Sequence, residues 1–312
     1  MLKNDLDVIE PLAVCMDDLE KQEGFSGSVL VAREGQTLLE KGYGLANIEL
    51  DVPNTPETRF RIGSITKPFT ALCVMLLAER GDLCVEDAIE MCLPDIPEAW
   101  KEITIHHLMR HTSGIMHSWT LPEFIKTISV RVTPQEAIDR FKDEPLVFAP
   151  GTGEHYSGVG YFVLAQVIEK VAGKSWADFL QEAILDPAGM CNTGPDRYDL
   201  LLPRRASGYE RTDQGLINAA PIFMPILTGG GNLYSTAGDL YLWDQALHEE
   251  RLMSGEAFRQ KYRTGRQRFA GSVPGFNAHL FRISEQKICV VVLSNIRPTP
   301  VKDIASRLAD IV

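Results

Sequence analysis

The stretch Phe60-Arg61-Ile62-Gly63-Ser64-Ile65-Thr66-Lys67-Pro68-Phe69 decides how the rest of this 312-residue chain is read. Pro68 has no backbone N–H and is tolerated only in the first turn of a helix, so a helix begins near Ile65. Phe69, Leu72, Cys73, Leu76 and Leu77 then recur at helical spacing, and Gly81 stops the run. Ser64 and Lys67 fall at the N-terminal end, three residues apart on one face. The positive end of the helix dipole favours negative charge on Ser64 and disfavours a protonated lysine. Burial lowers the lysine pKa in the same sense. A neutral amine beside a hydroxyl is the layout of an activated nucleophile. Spacing alone does not make the case: Ser284-x-x-Lys287 repeats it, but within a polar segment between two apolar runs.

Outward from this helix, strand signals lie towards both ends of the chain. Gly27–Ala32 and Thr37–Ala46 flank Arg33-Glu34-Gly35-Gln36 and read as a hairpin following an acidic first helix. Ala278–Ile283 and Ile288–Leu293 flank the Ser284–Lys287 turn and read as a second. The unbroken apolar run Ile288–Leu293 is that of a strand covered on both faces. Thr299–Val312 reads as a terminal helix with Ile304, Leu308 and Ile311 on one side. Between the hairpins the signals are helical: Val159–Val171 ended by Gly173, and a helix opened by Thr236-x-x-Asp239. The expected fold is α+β, with one antiparallel sheet built from both chain ends, flanked by helices, and a mostly helical inserted region. It forms a single domain, with an α/β part at about 1–60 plus 265–312 and a helical part at about 61–264.

Composition excludes several classes. With 45% hydrophobic and 23% charged residues the chain is an ordinary globular protein rather than a disordered one. The net charge of −11 argues against nucleic acid and anionic membrane surfaces as partners. No run approaches the length of a membrane span. Residues 1–21 are acid-rich and lack the basic start and apolar core of a signal peptide, which predicts a cytoplasmic protein. The six cysteines form no CxxC and are expected to be reduced, mostly buried core thiols. His107-x-x-x-His111 has no third ligand, so no metal is expected; His111 is expected to hold the turn before Gly114. Gly229-Gly230-Gly231 is not followed by Lys-Ser/Thr as a P-loop would be, and reads as a close-packed loop bordering a cleft.

Taken with further blocks in order, the Ser64 segment resembles the active-site helix of class C serine β-lactamases, penicillin-binding proteins and their related esterases. These blocks are His111-Thr112-Ser113-Gly114, Pro150-Gly151-Thr152, Tyr156-Ser157-Gly158, Asp186-Pro187-Ala188-Gly189-Met190, Gly230-Gly231-Asn232-Leu233-Tyr234-Ser235 and Pro274-Gly275-Phe276. The likeness runs from about Phe25 to Asn295. It implies a serine hydrolase working through a covalent acyl-enzyme, without a cofactor. Ser64 would be the nucleophile, Lys67 its base, and Tyr156 the tyrosine of the family's Tyr-x-Asn motif.

Two departures bear on substrate. Gly158 stands where the family has Asn. Aligning on Pro274-Gly275-Phe276 sets Phe269-Ala270-Gly271-Ser272 against the third motif, with Phe269 in place of its cation. Ser272 N–H, beside Gly271, would then pair with Ser64 N–H as the oxyanion hole. Arg263-Thr264-Gly265 is the alternative placement, and the segment between Tyr262 and Phe269 is short for the family. The expected substrate is a small-molecule acyl compound, foremost a small ester. The alternatives are a D-amino-acid or D-Ala peptidase or weak β-lactamase, with Arg263, Arg266 or Arg268 supplying a cation, and a non-catalytic binding or structural protein. The sequence leaves the oligomeric state open.

Overall fold

Both hairpins form, and the chain ends meet in one sheet. The computed structural model describes residues 6–253, 255 and 264–312. Its main sheet has five antiparallel strands in the order Arg266–Val273, Phe276–Ile283, Ile288–Ser294, Gly27–Arg33 and Gln36–Tyr43. The central pair is in register from Gly27 opposite Ser294 to Arg33 opposite Ile288. Because side chains alternate across a strand, the apolar run Ile288–Leu293 feeds two cores. Cys289, Val291 and Leu293 join the larger core with Phe69, Leu72 and Trp243. Val290 and Val292 join Val8, Leu12, Ile304 and Leu308, from the terminal helices Leu6–Glu23 and Val301–Ile311.

The larger core is covered by the helices Thr66–Glu79, Val159–Ala172 and Ala237–His248. Their ends follow from sequence. Gly173 adopts a left-handed C-cap, and Thr236 Oγ1 accepts the Asp239 N–H at 3.1 Å. Phe69 stacks on Trp243 with ring centroids 4.6 Å apart, and Trp243 meets Phe269 edge-on at 5.5 Å. These rings fasten the Ser64 helix to the edge strand Arg266–Val273. The middle region also carries strands of two to four residues that were not anticipated. Leu233–Ser235 pairs with Phe60–Arg61 and Gly194–Pro195, and Tyr209–Thr212 pairs with Gly215–Asn218 and Ile296–Arg297. Segments this short show no readable period.

The cysteine expectation is corrected in part. Cys15, Cys73 and Cys289 are buried, but Cys84 and Cys191 are exposed and Cys92 is half-buried. All six thiols are free. Among the described residues no helix is long and apolar enough to cross a membrane, and no group of three His, Cys, Asp or Glu side chains can hold a metal ion.

His279, on Phe276–Ile283, is buried with neither ring nitrogen partnered among the described residues. Burial, helped by the charges of Arg268 and Lys302 and opposed by Asp303, pushes its pKa from 6.5 down to about 4. Between those values the unfolded chain takes up a proton that the folded chain refuses, so stability falls as pH drops below 6.5. The melting temperature is expected to fall between about pH 7.5 and about pH 5, and His279→Leu to fall less over the same interval. An equal fall in both proteins would show that His279 is not a source of the acid sensitivity.

Candidate active site

Gly63–Ile65 forms a 3-10 turn that runs into the Thr66–Glu79 helix, with Pro68 in its first turn. Thr66 locks the junction: its Oγ1 donates to Gly63 O at 2.7 Å and accepts Leu233 N–H at 3.2 Å. Ahead of it, Arg61 Nε donates to buried Asp196 at 2.6 Å, and Arg205 holds the other carboxylate oxygen at 2.8 Å. The turn is therefore held from both sides, and Ser64 Oγ emerges at a fixed point of a cavity of about 320 Å³.

Lys67 and Tyr156 converge on that oxygen. Lys67 Nζ lies 2.9 Å from Ser64 Oγ and donates to Gly230 O at 2.7 Å. Tyr156 Oη donates to Ser64 Oγ at 2.7 Å. Lys67 is 6% exposed, and its burial lowers the pKa from 10.5 to about 7. A substantial share of the amine is therefore neutral near pH 7, with a lone pair 2.9 Å from the hydroxyl it would deprotonate. Tyr156 is pushed above its ordinary value, desolvation outweighing the opposing hydrogen bond to Ser64, so the phenol keeps its proton. Lys67 Nζ also sits over the rings of Tyr156 and Tyr161, at 4.9 and 5.6 Å.

The edge strand comes up against the Ser64 turn backbone to backbone. A Cβ on Gly271 would lie 1.8 Å from Ile62 O, and one on Gly63 would lie 2.7 Å from Ser272 N. Gly63 also has φ +50°, where a side chain is strained. Pro274-Gly275 makes a two-residue turn closed by Val273 opposite Phe276. Ser272 and Asn277 form the next pair, which in such a ladder is the non-hydrogen-bonded one. Ser272 N–H is thus left on the free edge of the sheet, towards the cavity that Ser64 and Ser272 both line. Two backbone donors beside a nucleophile are what an oxyanion hole requires.

The other expected residues divide. Gly158 lines the cavity, as do Gly230 and Gly231. Phe269 does not line it; its ring turns inward onto Trp243, because residues 269, 271 and 273 share the face of the strand directed into the molecule. The assignment of Phe269 to substrate contact is therefore corrected. Arg266 and Arg268 are exposed on the opposite face, with Arg268 over the Phe281 ring at 4.2 Å. Arg263 and the segment preceding it lie outside the described residues. Gly265 sits at the far end of the edge strand from Ser272, its N–H bound to Glu285. The cavity's own arginine is Arg297, whose Nε donates to Glu210 at 3.0 Å.

The two histidines of His107-x-x-x-His111 have separate duties. His107 Nδ1 accepts Thr104 N–H at 3.2 Å in a helix-capping box. His111, at φ +59°, accepts Ser157 N–H at 3.2 Å and packs on the Tyr156 ring at 4.6 Å, so it positions that tyrosine. Sequence reading missed His117, Ser118, Trp119, Phe162, Leu227 and Arg297 in the cavity wall.

This architecture, with a serine, a buried lysine and a tyrosine at the junction of an antiparallel sheet and a helical region, is that of the serine hydrolases built on the β-lactamase plan. The profile of the Beta-lactamase family matches residues 14–312, and the chain belongs to that family. It is 31% identical over 263 residues to penicillin-binding protein 4* of Bacillus subtilis, covering 78% of this chain and 56% of that one. It is 32% identical over 209 residues to the esterase EstB of Burkholderia gladioli, covering 60% of this chain and 53% of that one. The chain thus spans only a little over half the length of these relatives. The penicillin-binding protein of Bacillus halodurans superimposes with a TM-score of 0.85 at 24% identity, over 96% of this chain and all of that one, which is a likeness of fold.

Proposed function

We propose that the chain is an esterase acting through an acyl-enzyme on Ser64. The observation that carries this reading is the convergence of Lys67 Nζ and Tyr156 Oη on Ser64 Oγ, at 2.9 and 2.7 Å, inside a cavity. Neutral Lys67 takes the Ser64 proton as Oγ bonds to the acyl carbon. The carbonyl oxygen becomes an oxyanion held by Ser64 and Ser272 N–H. As the acyl–oxygen bond to the leaving alcohol breaks, Tyr156 gives that alcohol its proton and recovers one from Lys67. Water then attacks the acyl-enzyme by the reverse relay.

Three features support esters over amides bearing a carboxylate. Gly158 offers no side-chain amide, Phe269 is spent on Trp243, and the cavity's cation Arg297 is already neutralised by Glu210. Trp119, Phe162, Leu227 and Val273 give an apolar wall suited to a short acyl chain. The presence of Arg297 favours a second reading, a D-amino-acid peptidase or weak β-lactamase in which Arg297 rather than Arg263, Arg266 or Arg268 takes the carboxylate. Losing a charged hydrogen bond costs about 1.5–3 kcal/mol, so kcat/KM for p-nitrophenyl butyrate is expected to exceed that for nitrocefin or a D-Ala-D-Ala peptide at least about tenfold. A preference for the β-lactam or the peptide selects the second reading. Restoring the family residues as Gly158→Asn with Phe269→Lys is not expected to shift the ranking. A Cβ at 158 would lie 3.0 Å from Ser118 Oγ, and position 269 is not among the residues lining the cavity but packs on Trp243.

A further inference from the structure

The hairpin that carries Ser272 is closed by a turn that does not hold itself. Proline fixes φ at about −65°, so Pro274 cannot take the positive φ that the first central residue of a type I′ or II′ turn requires. With Gly275 at φ +78° the turn is of type II, whose twist does not match that of the strands it joins. The strand pairs next to it therefore depend on contacts from outside. These come from the hairpin of Tyr209–Thr212 and Gly215–Asn218. Gly208 and Ala219 close the base of that hairpin, with Ala219 N–H donating to Gly208 O at 3.0 Å, and they back the turn. A Cβ on Gly275 would lie 2.6 Å from Gly208 Cα and 2.7 Å from Ala219 Cβ. Gly275 N–H, which takes no part in closing a type II turn, donates to the Glu210 carboxylate at 2.9 Å. The same carboxylate accepts Arg297 Nε at 3.0 Å, from the residue opposite Glu210 in the parallel pair of strands. Glu210 is thereby fixed in its turn.

Resting on the esterase reading above, we infer that Glu210 is a positioning residue for the oxyanion hole: its hold on Gly275 sets where Ser272 N–H points. Ser272 sits between two restraints. On one side Gly271 is packed on Ile62 O, and on the other Gly275 is bound to Glu210. Arg266–Val273 is an edge strand with a sheet partner along one side only, Phe276–Ile283, so the sheet by itself leaves its end free to shift. Glu210 is not among the residues lining the cavity, and it acts through the turn rather than on a substrate. A misplacement of about 1 Å in a reacting geometry can cost about 10²-fold. A whole oxyanion donor is worth about 10²–10³-fold. Loosening the turn without removing the donor is therefore expected to cost about ten- to a hundredfold in rate.

The test compares Glu210→Gln with Glu210→Met, near-isosteric changes that both remove the charge facing Arg297. Only glutamine keeps a carbonyl oxygen for Gly275 N–H. Glu210→Met is expected to lower kcat/KM for p-nitrophenyl butyrate about ten- to a hundredfold, and Glu210→Gln to stay within about threefold of the parent. Glu210→Ala, made alongside in case methionine overpacks, is expected to behave as Glu210→Met. Butylboronic acid bonds to Ser64 Oγ as a tetrahedral anion. Its affinity for Glu210→Met is expected to fall by the same factor as kcat/KM, because only the tetrahedral state uses the oxyanion hole. The rise of kcat/KM with pH is expected to keep its midpoint near 7, since Lys67 and its burial are untouched. Parent-like rates in Glu210→Met and Glu210→Ala overturn the inference and leave the esterase reading standing. Equal losses in Glu210→Met and Glu210→Gln do the same, tracing the effect to the uncompensated charge of Arg297. So does a loss of rate with unchanged boronate affinity, or one accompanied by a displaced pH midpoint, which would mark a general distortion of the site. An unmodified protein that neither hydrolyses p-nitrophenyl butyrate nor binds the boronate overturns both readings together.

Discussion

Replacing Ser64 by Ala is expected to lower kcat/KM for p-nitrophenyl butyrate by at least about 10³-fold, while the far-UV circular dichroism and melting temperature stay close to those of the parent. Ser64 Oγ makes no bond that holds the fold. Its partners are Lys67 Nζ and Tyr156 Oη, and Lys67 keeps a second anchor in Gly230 O. The backbone donors of the 3-10 turn and the edge strand survive the change, so weak background hydrolysis remains. Undiminished turnover in Ser64→Ala would remove the proposed nucleophile. The other serine with a lysine three residues on, Ser284, is buried in the turn between two sheet strands and is expected to take no label.

Lys67→Arg is expected to cost about 10²–10⁴-fold, the range of general-base contributions. Guanidinium stays protonated at any working pH and has no lone pair to offer. The parent enzyme supplies the matching pH profile. The Lys67 pKa lies near 7, and the base acts when neutral, so kcat/KM rises as pH increases through about 7 and levels above it. A flat profile from about pH 5 to about pH 9, or a fully active Lys67→Arg protein, would assign the proton transfer elsewhere.

The parts of the molecule that were legible in the sequence are those with a local period or a position-specific constraint. Pro68 located the helix start, Gly81 and Gly173 the helix ends, and the run Ile288–Leu293 a strand facing two cores. Together these gave the sheet from both chain ends and put Ser64 beside Lys67. Tyr156 was reached through the family resemblance and not through any pattern of its own. Contacts made by backbone atoms escaped notice: Gly230 O, which fixes Lys67, leaves no trace in residue identity. Arg297 reaches the cavity from the two-residue strand Ile296–Arg297 and His117 from a loop, so no periodic pattern marks either of them.

Phe269 illustrates a different failure. Its place in a motif alignment suggested substrate contact, whereas alternation along Phe269-Ala270-Gly271-Ser272-Val273 sets Phe269 and Val273 on the inward, apolar face. That alternation was present in the sequence and outweighs the alignment. Gly158 reads differently once the fold is known. What looked like a lost amide is a position where a side chain would press on Ser118 Oγ at 3.0 Å and on the His117 ring at 3.4 Å.

The most direct test of the central claim is to trap the acyl-enzyme. The protein is mixed at low temperature with excess p-nitrophenyl butyrate, quenched in acid, digested and analysed by mass spectrometry. A butyryl group on Ser64, absent from the Ser64→Ala protein, is the predicted result. A butyryl group on any other residue, or hydrolysis that leaves no residue acylated and persists in Ser64→Ala, would contradict it.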